Sequence, residues 1–168
     1  MTHPAIEMYD YHVWEVSRIM DRLKEIPEEL YRQEIASSFS SIAKTLAHIY
    51  IVDNVWFQTL QGAEMADALN SSWSIREELE NGSLPELETK FKRLSEACSR
   101  FLRAQEDLEK RVMLNNPYAG SRETSLAEIV MQIVTHGTYH KGNISTMLRQ
   151  TGNSSVMTDY IYYLYAKQ

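Results

Sequence analysis

The chain has one cysteine, four prolines and six glycines in 168 residues, and no long apolar run. The single cysteine, Cys98, has no partner for an internal disulfide, which fits a reducing cytoplasm. So few prolines and glycines exclude a turn-rich β fold and point to long helices. No apolar stretch reaches the roughly 20 residues that cross a bilayer, so no membrane role is expected. The N-terminus, Met1-Thr2-His3-Pro4-Ala5, lacks a basic region followed by an apolar run, so no signal peptide is expected either. Positive charge is also short: the net charge is -6 and no basic stripe is visible, which argues against nucleic acid as a partner.

What is present suits a soluble domain. The hydrophobic fraction is 43% and the charged fraction 24%, and the length fits one domain over residues 1–168. Ile6, Tyr9, Val13, Val16, Met20 and Leu23 recur three and four apart and predict a first helix, which follows Pro4 and is ended by Pro27. A short helix is predicted in Glu28–Tyr31. A second long helix starts at Ser40 or Ser41, carries Ile42, Leu46, Ile49, Trp56 and Leu60 on its apolar stripe, and stops at Gly62. Asp53 sits on that stripe, where an apolar residue would be cheaper. Residues 62–82 form one long connection with local structure around Ser74–Glu78. A third helix opens on the capping box Ser83-Leu84-Pro85-Glu86 and runs its seam through Leu84, Leu87, Phe91, Leu94, Cys98, Phe101 and Leu108. Asn115–Gly120 reads as a loop. A fourth helix begins at a second capping box, Ser125 with Glu128, and ends at Gly152; a short C-terminal helix holds Tyr160–Tyr165. The expected fold class is therefore all-α, a four-helix bundle with one long crossover connection.

Histidines carry the chemistry. The inward stripe of the fourth helix reads Leu126, Ile129, Ile133, His136, His140, Ile144, Met147, so two imidazoles one turn apart replace apolar residues. A lone histidine on an apolar face is more often a hydrogen-bonded core residue than a ligand. Two adjacent ones are costly to bury unless something satisfies them, and a metal ion does so. His48, on the second helix, is the third candidate. Three imidazoles converging inside a helical bundle would hold one divalent ion and leave coordination positions open.

Two common metal sites are excluded by missing residues. The His-Glu-x-x-His motif of zinc peptidases needs a glutamate where this chain has Gly137. Carboxylate-bridged di-iron bundles need Glu-x-x-His, and the residues three before His12, His48, His136 and His140 are Tyr9, Thr45, Ile133 and Gly137.

The segment His136-Gly137-Thr138-Tyr139-His140-Lys141-Gly142-Asn143-Ile144 resembles the His-x-x-x-His-basic-Gly-Gln-Ile signature of the DinB/YfiT-like superfamily. His48 followed two turns later by Trp56 resembles that family's second-helix motif. Tyr11-His12-Val13-Trp14-Glu15 and the ending Met147–Gly152 with Thr158-Asp159-Tyr160 are also similar, so the likeness covers nearly the whole chain. The resemblance implies a four-helix bundle with one divalent metal, usually nickel or zinc, held by His48, His136 and His140, and often a homodimer. Relatives include thiol-dependent S-transferases and a maleylpyruvate isomerase; many others are described as metal-dependent hydrolases without a known substrate. Asn143 departs from the family's glutamine and should lie near the site.

Two classes of function follow. An enzyme would use the ion to deprotonate water or a low-molecular-weight thiol and act on a small-molecule substrate. A transferase of this kind needs cationic groups for an acidic thiol, and Arg122, Lys141 and Arg149 are available, though each reads first as an exposed helix charge. A hydrolase needs a general acid or base, for which Asp53, Tyr118 and Tyr139 are candidates. The alternative is a non-catalytic metal-binding or stress-related interaction module, with the tyrosine-rich end and Trp14, Trp56 and Trp73 supporting self-association. Histidine ligands do not discriminate nickel from zinc, and no residue identifies the substrate.

Overall fold

A computed structural model describes residues 2–167. The first helix, α1 (Pro4–Lys24), begins where Pro4 needs no hydrogen-bond partner for its nitrogen, and the His3 ring caps it by accepting from the Ala5 N–H. A single turn, α2 (Glu29–Arg32), follows. Of the two candidate caps, Ser41 starts α3 (Ile42–Leu60) by accepting from the Lys44 N–H. Gly62 ends it at a φ of +94°, a left-handed conformation that glycine adopts without a Cβ penalty. The long connection holds two short helices, α4 (Met65–Trp73) and α5 (Arg76–Asn81). Both predicted capping boxes are made, Ser83 with Glu86 opening α6 (Leu84–Arg103) and Ser125 with Glu128 opening α7 (Leu126–Gln150). A short helix, α8 (Tyr160–Ala166), closes the described chain.

Two expectations need correction. The fold is mostly helical but not all-α. The stretch read as a loop is the turn of a hairpin, in which β1 (Arg111–Asn116) pairs antiparallel with β2 (Gly120–Ser125), Arg111 opposite Ser125 and Asn116 opposite Gly120. The pairing has a physical cause. Val112 and Leu114 alternate inward and pack against the core, while Gly120 takes a φ of +86° at the turn. The third helix also stops earlier than its seam suggested. Leu108 lies beyond Arg103 in a loop, yet it is buried, and its carbonyl accepts the Ala127 N–H at 2.9 Å. That contact fixes the hairpin's base to the start of α7.

The long helices pack in pairs: α1 against α7 and α6, and α3 against α7 and α6. Their apolar faces form two separate clusters. One gathers Tyr9 on α1, Val55 and Trp56 on α3, and Ile129 and Ile133 on α7. The other gathers Val16 and Ile19, Leu46 and Ile49, and Ile144 and Met147 on the same three helices. Between them along each helix lie buried polar residues: His12 and Glu15 on α1, Asp53 on α3, His140 and Lys141 on α7.

Those groups satisfy one another. His12 Nε2 is 2.8 Å from Asp53 Oδ2, and Lys141 Nζ is 3.2 Å from His12 Nδ1 and 2.6 Å from Glu15 Oε2. Thr138 Oγ1 donates to the same Glu15 oxygen at 3.0 Å. With Lys141 donating to Nδ1, His12 must carry its proton on Nε2 and donate to Asp53. Burial lowers the Lys141 ammonium's affinity for its proton, against the pull of Glu15. Gly137 makes the layer possible. A Cβ there would overlap His12 Cε1 and stand 2.6 Å from Nδ1, so the ring can lie on α7 only where the side chain is hydrogen.

Glycine inside a helix ordinarily costs about 1 kcal/mol relative to alanine. At this position the sign inverts, because the His12 ring is held by Asp53 and Lys141 and cannot step aside. Gly137→Ala is expected to destabilise the protein by about 1–3 kcal/mol, measured as a lower urea midpoint with an unchanged slope. A Gly142→Ala control, where nothing lies within 4 Å of the added methyl, should be neutral or stabilising.

Candidate metal centre

Helix α3 presents His48 and helix α7 presents His136 and His140, the two one turn apart. The three expected residues do come together. Ring centroids are 5.0 Å apart for His48–His136, 4.7 Å for His48–His140 and 4.5 Å for His136–His140. Candidate ligand nitrogens, one from each ring, all lie within 4.8 Å of one another. The Nε2 atoms of His48 and His136 face each other at 3.1 Å. That is close to the edge made by two nitrogens bound to one ion at ordinary lengths of about 2.0–2.1 Å. His140 is buried while His48 and His136 are half-buried, so the cluster has an open side.

The electrostatics suit ligands. Burial, with His140 and Arg76 adding to it, holds the His48 imidazole down at about 4. Burial, then His140 and His48, holds His136 down at about 3, and burial lowers His140 as well. All three are therefore neutral near pH 7, the form that binds a metal. Three neutral imidazoles in one half-open cluster are a donor set that fits a first-row divalent ion.

Aromatic side chains flank the cluster. The Phe39 ring lies 4.6 Å from that of His48 and 5.5 Å from that of His140. Trp73, at the end of α4, is 6.1 Å from His48, and Tyr139 meets His140 edge-on at 4.9 Å. Arg76 stacks its guanidinium over Trp73, 5.4 Å from the ring centre. Neither Phe39 nor Arg76 was singled out in the sequence, because both come from connections whose path no local pattern fixes.

Asn143 lies where its spacing suggested, with Nδ2 3.4 Å from His140 Nδ1. The amide's orientation decides what this does. Turned to present Oδ1, it would accept a proton from Nδ1 and free Nε2 for an ion. The Nδ1 atoms of His48 and His136 are buried and have no hydrogen-bond partner among the described residues. Ring packing, rather than a carboxylate or carbonyl behind each ring, therefore sets their orientation.

Other sequence candidates fall elsewhere. Tyr118 is 84% exposed on the hairpin turn. Arg122 is exposed on β2 and pairs with Glu128 at 3.4 Å, and Arg149 is exposed near the end of α7. Lys141 is not an exposed charge at all, since it is enclosed with Glu15 in the polar layer. Asp53 is taken by His12 and does not reach the three imidazoles. Glu15 was missed. Its signal was the stripe Val134, Gly137, Lys141, Ile144, Leu148, whose buried lysine requires a buried carboxylate opposite. Cys98 is buried, and burial pushes its thiol up to about 12, so it is an unreactive core residue.

Comparison with known proteins bears on family and fold. The family model described as the DinB family matches residues 1–168. A curated relative, Protein DinB of Bacillus subtilis (strain 168), is 42% identical over 165 residues, covering 98% of this chain and 96% of that protein. Among solved structures, the crystal structure of the mycothiol-dependent maleylpyruvate isomerase aligns with a TM-score of 0.57 at 15% identity. The alignment covers 85% of this chain and 63% of that one, so the chain spans less than two thirds of the isomerase and shares its fold over that part.

The depressed imidazoles give a signed pH dependence for the metal-free protein. Unfolded histidine takes up a proton near 6.5, whereas folded His48 and His136 resist it down to about 4 and about 3. The stabilisation from these neutral rings is complete above pH 6.5 and lost progressively as pH falls through the window toward 4. Urea midpoints of chelator-treated protein should fall between pH 7.5 and pH 4.5. A His48→Gln, His136→Gln double variant should show a shallower fall, and equal slopes would contradict the assignment.

Proposed function

This chain belongs to the DinB family, and on that premise we propose that it is a metal-dependent enzyme built on a three-histidine centre. In this reading His48, His136 and His140 hold one divalent transition metal ion, nickel or zinc, within a single-domain four-helix bundle over residues 1–168 made by α1, α3, α6 and α7. The reaction is S-transfer from a low-molecular-weight thiol, with hydrolysis of a small-molecule substrate as the other chemistry the donor set allows. The observation that supports it is the convergence of three neutral imidazoles in a half-open cluster that, among the described residues, no cysteine or carboxylate joins.

A bound ion would supply a positive field that lowers the pKa of a thiol or water at its open position. The protein's own residues do the rest. The imidazoles stay neutral, so the ion's charge is not cancelled by its ligands. Phe39, Trp73 and Tyr139 flank the rings and offer flat surfaces to a substrate's apolar part. Arg76, whose Nε donates to Glu80, stacks on Trp73 and offers its remaining N–H groups to the carboxylate of an acidic thiol. The buried Cys98 is no nucleophile, so in this reading the thiol comes from the cofactor. We also propose a cytoplasmic homodimer, for which exposed Ile161, Tyr162 and Tyr165 on α8 offer apolar surface. No helix among the described residues is long and apolar enough to cross a membrane.

Elemental analysis of untagged protein tests the centre. The expected result is about one equivalent of a transition metal, lost in each of His48→Ala, His136→Ala and His140→Ala. Folded protein that neither contains nor takes up nickel or zinc would overturn it and leave an interaction module. Arg76→Ala tests the acidic-thiol reading separately. It should keep the metal and weaken binding of an anionic thiol such as mercaptoacetate several-fold, with little change for uncharged 2-mercaptoethanol.

A further inference from the structure

A cavity of about 180 Å³ lies between α1 and α6. From α1 it is lined by Tyr9, His12, Val16, Ser17 and Met20, and from α6 by Phe91, Leu94 and Ser95. Its place follows from the packing. Tyr9 belongs to one apolar cluster, and Val16, Met20 and Phe91 to the other, so the gap opens where the two clusters part. Ser17 and Ser95 are small, and the helices meet at that level without closing. Interiors are otherwise close-packed, with few voids larger than a water molecule.

The inner wall offers almost no free donor or acceptor. Both His12 ring nitrogens are engaged, Nε2 with Asp53 and Nδ1 with Lys141. The Tyr9 hydroxyl lies beside the Cys98 thiol. Asp53 also lines the cavity, but its Oδ2 is taken by His12 and its Oδ1 has essentially no accessible surface. Ser95 Oγ donates to the Lys92 carbonyl at 3.0 Å. The other charges are on the rim, where Glu88 pairs with Lys24 at 2.6 Å and Lys92 is exposed. A buried water needs two to four polar partners, which this wall does not supply, whereas a dry apolar cavity of about 150 Å³ takes up benzene. A charged guest would give up its hydration and find no counter-charge inside.

We propose that this cavity is a second ligand site, which takes an uncharged, compact apolar molecule about the size of one aromatic ring, packed against Val16, Met20, Phe91 and Leu94. The thioether of Met20 and the ring of Phe91 suit an aromatic guest. Ser17 is exposed, so the guest enters past it without a helix having to move. The site is separate from the histidine centre and does not depend on a metal being bound there.

Fluorobenzene is the probe, followed by fluorine NMR on the full chain, with benzoate and benzylamine as charged controls of similar size and opposite sign. The expected result is saturable binding of fluorobenzene and at least about tenfold weaker binding of both controls. Ser17→Trp covers the mouth from an exposed position and should abolish binding while the circular dichroism spectrum stays unchanged. Ser95→Leu fills the gap from α6, so it should lose at least about tenfold in affinity with a urea midpoint unchanged or raised. Binding should persist in His48→Ala, which separates this site from the metal centre. Absence of saturable binding in the wild type, equal affinity for either charged control, full binding in both filling variants, or loss of binding in His48→Ala would each overturn the proposal.

Discussion

The arrangement rests on a buried ion pair, Lys141 with Glu15, that ties the last long helix to the first. Neither charge can be left alone in the interior. Removing one partner of such a pair costs about 3–5 kcal/mol, far more than the pair itself contributes over an apolar substitute. The pair is thus a weak source of stability and a strong source of register. Sliding α7 by one turn against α1 would strand an ammonium and a carboxylate at once. Because His136 and His140 share α7 with Lys141, the register that satisfies the lysine also sets the height of both imidazoles.

Asp53 and His12 extend that constraint to α3. The bond from Asp53 Oδ2 to His12 Nε2 joins α3 to α1, and Lys141 joins His12 to α7. The third imidazole, His48, sits five residues before Asp53 on the same helix, so its position follows from that bond. The polar layer therefore sets the relative heights of the three helices that matter to the centre, and the apolar clusters above and below it supply the burial. Such division of labour suits a site whose rings have few hydrogen bonds of their own.

Much of this was legible in the sequence, and the misses have common causes. Helix ends marked by Ser41, Ser83, Ser125, Gly62 and Gly152 were readable because caps and left-handed glycines act locally. The three histidines were readable because two of them interrupt an apolar stripe. The hairpin was missed because Val112 and Leu114 give too short an alternation to stand out beside Asn-Asn-Pro-Tyr-Ala-Gly. Lys141 was misread because a lysine beside a histidine pair looks like a solvated charge until its partner, 126 residues away, is known. Phe39, Trp73 and Arg76 reach the centre through connections, and tertiary packing alone decides where those run.

The span of those pairings matters for how the chain is made. Glu15 and His12 emerge from the ribosome early, while Lys141 follows 126 and 129 residues later. Without α7, docking α1 tightly on α3 would bury an unpaired carboxylate. Chains that break off before α7 keep that unmatched charge. The dry interface of α1 is thus electrostatically complete only once α7 is in place.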